Sequence, residues 1–349
     1  MKDPNPNDAR RPGGQKLATA YDVARLAGVS QSAVSRTFTD GASVSPATRE
    51  KVMEAAAALR YRPSHMARSL KTGRSLIVGV AVTSVDNLFY PQVLEALADA
   101  LRGVGYRMLL FVTHGDTNFD PALDELLRYR VDALILASTS LSSPLAEECR
   151  QSGVPVVMFN NIDPDSAMAS VTGDNRKGGE TIAAFMHAAG HRRFGFIAGV
   201  ESSSTSQQRE LGFTGYLTAQ GLQPPMRAVS QFQPGLAMQA TRDLLKRPDA
   251  PDALFCVNDH MALAAMDVAR HEFGLEVGKD ISIIGFDNIG LSAWPSFGLT
   301  TYSQPVDRLV AETMALLTEA MADANALPRK IMVGGELIVR TSARLPNQK

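Results

Sequence analysis

The chain has 349 residues, 45% hydrophobic and 20% charged, with a net charge of −1. That is too long for one average domain and apolar enough for a filled core, which excludes a disordered chain. No segment reaches the roughly 20 uninterrupted apolar residues that span a bilayer, and the two cysteines, Cys149 and Cys256, suggest neither a disulfide framework nor a zinc cage. The expected setting is a reducing cytoplasm with no membrane contact. The charge is unevenly spread. Residues 1–74 hold 13 Lys/Arg against 6 Asp/Glu, a balance of +7, so the remaining 275 carry −8. A basic segment on an acidic body points to a polyanionic partner for the first part only.

The segment 1–16, MKDPNPNDARRPGGQK, lacks an apolar stretch for a secretory signal and reads as a disordered tail. Residues Thr19–Ala27 predict a short helix, with Thr19 and Asp22 spaced for a capping box. Gly28 breaks it, and Ser30 caps a second helix running to about Phe38. A turn at Thr39-Asp40-Gly41 precedes Ser45-Pro46, an N-cap followed by proline at the first helical position. The third helix, 47–59, places Val52, Ala55, Ala56 and Leu59 on one stripe. Pro63 ends this three-helix unit, and 65–70 has room for one more short helix before Lys71-Thr72-Gly73-Arg74.

From Leu76 the texture changes. Apolar runs at 76–82, 107–113, 131–138 and 154–160 alternate with helical stretches, the first of them at 91–103; a second series follows at 193–199, 253–258 and 281–288. Such runs predict parallel strands covered on both faces. Two series in about 270 residues predict an α/β body of two doubly wound lobes with a cleft between them.

The block YDVARLAGVSQSAVSR, followed by VSPATREKV and ARSLKTGRS, resembles the LacI/GalR (lac repressor) family of bacterial transcriptional regulators, and the likeness runs from Thr19 to about Leu345. In a helix-turn-helix the second helix enters the major groove with its first residues facing base edges. Gln pairs well with adenine and Arg with guanine. The resemblance makes Gln31, Ser32 and Arg36 the base readers, and Thr19, Tyr21, Ser30, Ser35, Ser45 and Thr48 the backbone contacts. Val23, Ala24, Ala27, Val29 and Val34 read as the bundle's core. The segment SHMARSLKTG resembles the family's hinge helix, which implies minor-groove contacts by Met66, Ala67, Leu70 and Lys71, with Leu70 as a wedge between base pairs.

The body resembles periplasmic sugar-binding proteins, whose ligands sit between hinged lobes. The resemblance implies effector contacts at Asn87, Phe89, Tyr90, Asn160, Thr205, Arg209, Phe232, Asn258 and Asp287, of which Arg209 lies in an R-x-x-G-F pattern. Aromatic faces with Arg, Asn and Asp suit a small polyhydroxylated or anionic ligand, a sugar or related metabolite. Asn160 stands where the family commonly has a carboxylate.

The expected division is 17–63 for the DNA-binding domain, 64–75 for the hinge and linker, and 76–345 for the effector domain. Its lobes are expected at 76–174 with 304–331 and at 175–303 with 332–345. No leucine heptad follows the last strand, so a homodimer on a palindromic operator is expected, with repression as the family's usual output. No cofactor or metal is called for. Lys71-Thr72-Gly73 has no S-x-x-K partner, His187 and His191 have no intervening Glu, and there is no G-x-S-x-G elbow, P-loop or dinucleotide fingerprint. The rival reading, a transporter's solute-binding protein, calls for an export signal and no N-terminal reader.

Overall fold

The computed structural model describes residues 18–39, 41–62, 73–83, 85–112, 128–137, 149, 151–162, 168–323 and 325–346. The tail 1–16 and the hinge positions Met66, Ala67, Leu70 and Lys71 lie outside them. The chain divides into two compact units, Met1–Ser75 and Leu76–Lys349.

In the first unit, α1 (Ala20–Ala27) begins at the capping box that Thr19 and Asp22 form reciprocally, and it stops at Gly28, whose φ of 67° is open to glycine. Helix α2 (Gln31–Thr37) is capped by Ser30, and α3 (Pro46–Ala58) by Ser45 with proline in its first turn. Val23, Ala24, Val34, Val52, Ala55 and Ala56 form the core, with Ala27, Val29, Phe38, Leu59 and Tyr61 packed against it. Arg49 donates to the Thr37 carbonyl at 2.8 Å and so ties α3 to the end of α2.

The second unit contains two six-stranded sheets. The first runs β11-β5-β4-β3-β1-β2 and the second β12-β10-β9-β8-β6-β7. The first sheet's strands are β1 (Ile77–Val82), β2 (Arg107–Val112), β3 (Ala133–Ala137), β4 (Val156–Phe159), β5 (Ala169–Gly173) and β11 (Lys330–Val333). The second's are β6 (Phe194–Ala198), β7 (Met226–Val229), β8 (Ala253–Cys256), β9 (Ser282–Asp287), β10 (Thr300–Ser303) and β12 (Leu337–Ile338). Each sheet is a 2-1-3-4-5 winding with one late strand added at the far edge, an arrangement that opens a crevice outside the strands' carboxyl ends. All pairings are parallel except β10 with β12, which is antiparallel, so the second sheet departs there from the all-parallel expectation. The late edge strand is two residues long and reaches β10 only after the chain has passed through the helix Val306–Ala322 and β11 of the first sheet.

The named helices of this unit are α4 (Phe89–Gly103), α5 (Asn175–Ala188), α6 (Ser204–Ala219), α7 (Pro234–Leu245), α8 (Asp259–His271) and α9 (Val306–Ala322). Helix α4 starts at Phe89, two residues before the expected Pro91. The chain passes between the sheets three times, after Gly173, after Ser303 and after Val333. Backbone bonds bind these crossings together: Asp174 N–H donates to Val333 O at 2.9 Å and Ser303 N–H to Glu336 O at 2.7 Å.

Helices α5 and α6 touch backbone to backbone. A Cβ on Gly179 would lie 2.1 Å from the Arg209 carbonyl oxygen, and one on Gly212 would lie 2.0 Å from that of Arg176. The two glycines therefore set how closely α6 approaches the first crossing. Gly212→Ala is expected to destabilise the second unit by about 1–3 kcal/mol through forced separation of the helices. Urea unfolding of this variant against the parent measures it, and an unchanged midpoint would mean the crossing adjusts freely.

Candidate functional site

Two sets of side chains stand out, one in each unit. In the first, α2 turns Val34 and Thr37 inward and leaves Gln31, Ser32, Ser35 and Arg36 exposed on the other side. The short side-chain oxygens of Thr19, Ser30 and Ser45 each accept a backbone N–H at a helix start. Ser30 and Ser32 hydroxyls meet at 2.9 Å, and Ser45 donates to Thr48 at 2.8 Å. Tyr21 is 65% exposed although it is aromatic. Helix starts offer unpaired N–H groups and a positive dipole end, the arrangement that accepts phosphate oxygens. The described face thus pairs N-termini for phosphates with an Arg, a Gln and serines at helical spacing for base edges.

In the second unit the carboxyl ends of the strands converge on Arg209, on α6. Its side chain is 3% exposed. Nε donates to Asn175 Oδ1 at 2.9 Å, one terminal nitrogen donates to the Val257 carbonyl at 2.6 Å, and the other lies 3.4 Å from Asp287 Oδ1. The guanidinium carbon sits 3.7 Å above the centre of the Phe286 ring. Asp287 is equally buried, and it also accepts from Gln304 at 2.7 Å, with the Asn87 side chain near enough to favour its charged form. Burial works against both ions: it lowers the pKa of Arg209 and raises that of Asp287, while each partner opposes the change in the other.

Asn160 closes β4 with φ 53°, and its amide donates to the Tyr90 hydroxyl at 3.1 Å. Its Oδ1 is buried and has no protein partner. Burial holds the Tyr90 phenol above its ordinary range. The halves also touch directly at the rim, where the Ser204 hydroxyl donates to Asn161 Oδ1 at 2.5 Å and accepts from the Ile162 N–H at 3.1 Å. Five non-glycine residues at these strand ends have positive φ: Asn160, Gln231, Phe232, Asp287 and Asn288. Strained backbone of this kind collects at functional sites.

The structure distributes the expected contacts unevenly. Asn87, Tyr90, Asn160, Arg209 and Asp287 come together. Phe232 lies across Gly199, where a Cβ would meet its ring at 2.2 Å. Thr205 is buried at the start of α6, 3.0 Å from the Ser203 hydroxyl. Phe89 is 1% exposed and packs edge-on to Tyr90 within the first half's core, so in this arrangement it is a packing residue. Asn258 caps α8 with its Oδ1, which accepts the Met261 N–H at 3.0 Å, and its amide N–H groups are not used by that cap.

Sequence reading missed Asn175, Gln304, Phe286 and Asp259. Asp259 is fully buried. It accepts from Ile289 N–H at 2.9 Å, from Ser292 at 2.6 Å and from Thr301 at 2.5 Å, which clamps the loop after β9 beneath the Arg209–Asp287 pair. Burial raises its pKa to about 7, the nearby Asp287 charge adding to the rise and the three donors opposing it. The D in N-D-H, three residues past the end of β8, was the available signal. His191 was weighed only as a metal ligand with His187. It instead lies between Asp252 (3.1 Å) and Ser282 (2.8 Å) at the amino ends of β6, β8 and β9. Ser282 is 1% exposed and its oxygen also accepts the Arg344 N–H, so this line fastens the C-terminal segment to the sheet. Among the described residues no cluster of His, Cys, Asp or Glu could hold a metal ion, and no helix is long and apolar enough to cross a membrane.

Known proteins carry the same two units. Residues 19–64 match the model of bacterial regulatory proteins of the lacI family, and residues 183–343 match a periplasmic-binding-protein-like domain. The transcriptional repressor PurR of Photobacterium profundum is 32% identical over 333 residues, which cover 94% of this chain and 99% of that protein. The chain belongs to the lacI family of bacterial regulatory proteins. The repressor CytR of Escherichia coli K12 is 31% identical over 333 residues, covering 95% of this chain and 97% of that one. The lac repressor dimer, solved bound to operator and the anti-inducer ONPF, superposes with a TM-score of 0.84 at 29% identity over 94% of this chain and 100% of that chain.

Asp259 supplies a test of the buried cluster. Between its unfolded value near 3.8 and its folded value near 7, the folded state holds a proton that the unfolded chain has lost. Stability therefore falls as pH rises through that window and levels off above it, at up to about 1.4 kcal/mol per pH unit. Melting temperatures from pH 4 to 8 at fixed ionic strength are expected to show a flatter decline in Asp259→Asn than in the parent.

Proposed function

We propose that this lacI-family repressor binds a palindromic operator as a homodimer and is controlled by a small metabolite held between the two halves of its second unit. The observation that carries the reading is the pairing of an exposed Gln31–Arg36 helix face in one unit with a buried, strained polar cluster around Arg209 in the other. Gln31, Ser32 and Arg36 read base edges. Thr19, Tyr21, Ser30, Ser35, Ser45 and Thr48 hold phosphates. Met66, Ala67, Leu70 and Lys71 enter the central minor groove, with Leu70 as the wedge. Residues 17–63 are the reader, 64–75 the hinge and 76–345 the sensor, with lobes at 76–174 plus 304–331 and at 175–303 plus 332–345.

The effector contacts are Asn87, Tyr90, Asn160, Thr205, Arg209, Phe232, Asn258 and Asp287, to which Gln304 is added; Phe89 supports them from behind. A ligand that prefers one arrangement of the lobes shifts the equilibrium between DNA-binding states by its difference in affinity for them. The protein acts in the cytoplasm, where operator and metabolite meet, and it catalyses no reaction. Similarity to the lac repressor structure with operator and ONPF supports both the DNA partner and the small-molecule partner.

Selection of duplexes from a random DNA pool at fixed salt is expected to enrich a two-fold symmetric site; salt-sensitive binding with no enriched sequence would sink the reader. On that site Arg36→Ala is expected to cost about 1–3 kcal/mol and to relax the preference at one base pair in each half-site. Titration against matched and mismatched duplexes measures both effects.

A further inference from the structure

The charges around the cleft discriminate between classes of effector. Arg209 is the cation of the cluster, and its Nε and both terminal nitrogens already face acceptors in Asn175, Val257 and Asp287. Asp287 already balances it, and Asp259, whose pKa burial raises to about 7, adds part of a second negative charge. His260, at the start of α8, has its pKa lowered by burial, with Asp86 from the other half opposing that, so it supplies no standing positive charge at neutral pH. The strand-following segments 83–88, 160–162, 199–203, 230–233, 257–258 and 288–299 contain no Lys or Arg. Nor do the sequences 113–127, 138–148 and 163–167, which lie outside the described residues. After β5 the cations Arg176 and Lys177 are exposed while Asn175 is buried.

A second observation concerns what the site lacks. Asn160 Oδ1 is buried beside Tyr90 with no donor, and a buried acceptor left unpaired calls for one. A ligand hydroxyl or N–H supplies that donor. An ionised phosphate or carboxylate group is all acceptor, and it would add negative charge where Asp287 already balances the one buried guanidinium.

Taking the cleft as the effector site, as proposed above, we infer that the effector is an uncharged, hydroxyl- or amide-bearing metabolite that donates a hydrogen bond to Asn160 Oδ1, and that phosphorylated and carboxylated metabolites are rejected. The site discards the anionic half of the ligand class that the residue types alone allow. Arg209 retains two N–H donors for a neutral ligand oxygen, and Asp287 and Asn160 accept from its hydroxyls.

The compound need not be identified for the test. The protein-free small-molecule fraction of a bacterial extract is split on a strong anion exchanger at pH 8. Flow-through and salt eluate, both desalted, are assayed for their effect on the full-length protein's melting temperature and on its affinity for the selected duplex. The expected result is that the flow-through alone shifts both, with DNA affinity changing by about 5–150-fold. Activity confined to the eluate and abolished by phosphatase, or by esterification of its carboxylates, overturns the inference. If neither fraction acts while the duplex still binds, the sensor reading itself fails and this inference falls with it. Asn160→Gly removes the acceptor and is compatible with the positive φ at 160. It is expected to displace the flow-through dose response about tenfold to higher concentration, for one lost hydrogen bond. An undisplaced response overturns the assignment of the donor to Asn160.

Discussion

Everything in the sensor unit is arranged around one costly interaction, a guanidinium and a carboxylate both withdrawn from water. Desolvating each ion costs several kcal/mol, and their attraction offsets this only when the remaining donors and acceptors are also paired. Arg209 meets that condition in part, through Asn175 at the first crossing, Val257 at the end of β8 and the face of Phe286, with two N–H groups left over. Asp287 meets it through Gln304 at the second crossing and Asn87 from the opposite half. The pair therefore joins two strand ends, one helix and two of the three crossings.

The supporting structure follows from the same demand. Gly179 and Gly212 let α5 and α6 touch backbone to backbone, which brings Arg209 within reach of Asn175 at the start of α5. Asp259 lies beneath the pair and fixes the loop after β9 through three donors, holding Asp287 in its strained conformation from below. Neutralising Asp259 costs little when its pKa is already about 7, so it stabilises the loop without imposing a full second negative charge. The reader needs none of this. Its small core is satisfied by Val23, Val34 and Val52, and its termini by side-chain caps, leaving the outer face of α2 free for a partner.

The line of Asp252, His191 and Ser282 shows why residue types are weak evidence for chemistry. The distances would suit a nucleophile and its base, yet the serine is buried at the amino end of the sheet and already bonded to the Arg344 N–H. A catalytic serine must meet its substrate; this one meets the chain's own C-terminal segment.

Elements whose signals are local could be read from the amino-acid order. Capping residues at Thr19, Ser30 and Ser45 announced the three helices because an N-cap is satisfied within three residues of itself. Continuous apolar runs announced seven parallel strands because both faces of such sheets are covered. The strands that escaped notice, β5 (ASVTG), β7 (MRAV), β10 (TTYS), β11 (KIMV) and β12 (LI), are short and lack a continuous apolar run. With β5 and β10 unseen, the residues just beyond them, Asn175 and Gln304, were invisible as site members although they contact the central pair. That Phe89 faces the core, that Arg209 reaches Asp287, and that Asn160 keeps a buried oxygen without a donor follow from the packing of the folded chain. Those outcomes depend on which side chain reaches a shared space first. That competition is settled by groups distant in the chain, 70 residues apart for Asn160 and Tyr90 and 78 for Arg209 and Asp287, too far for any local pattern to record.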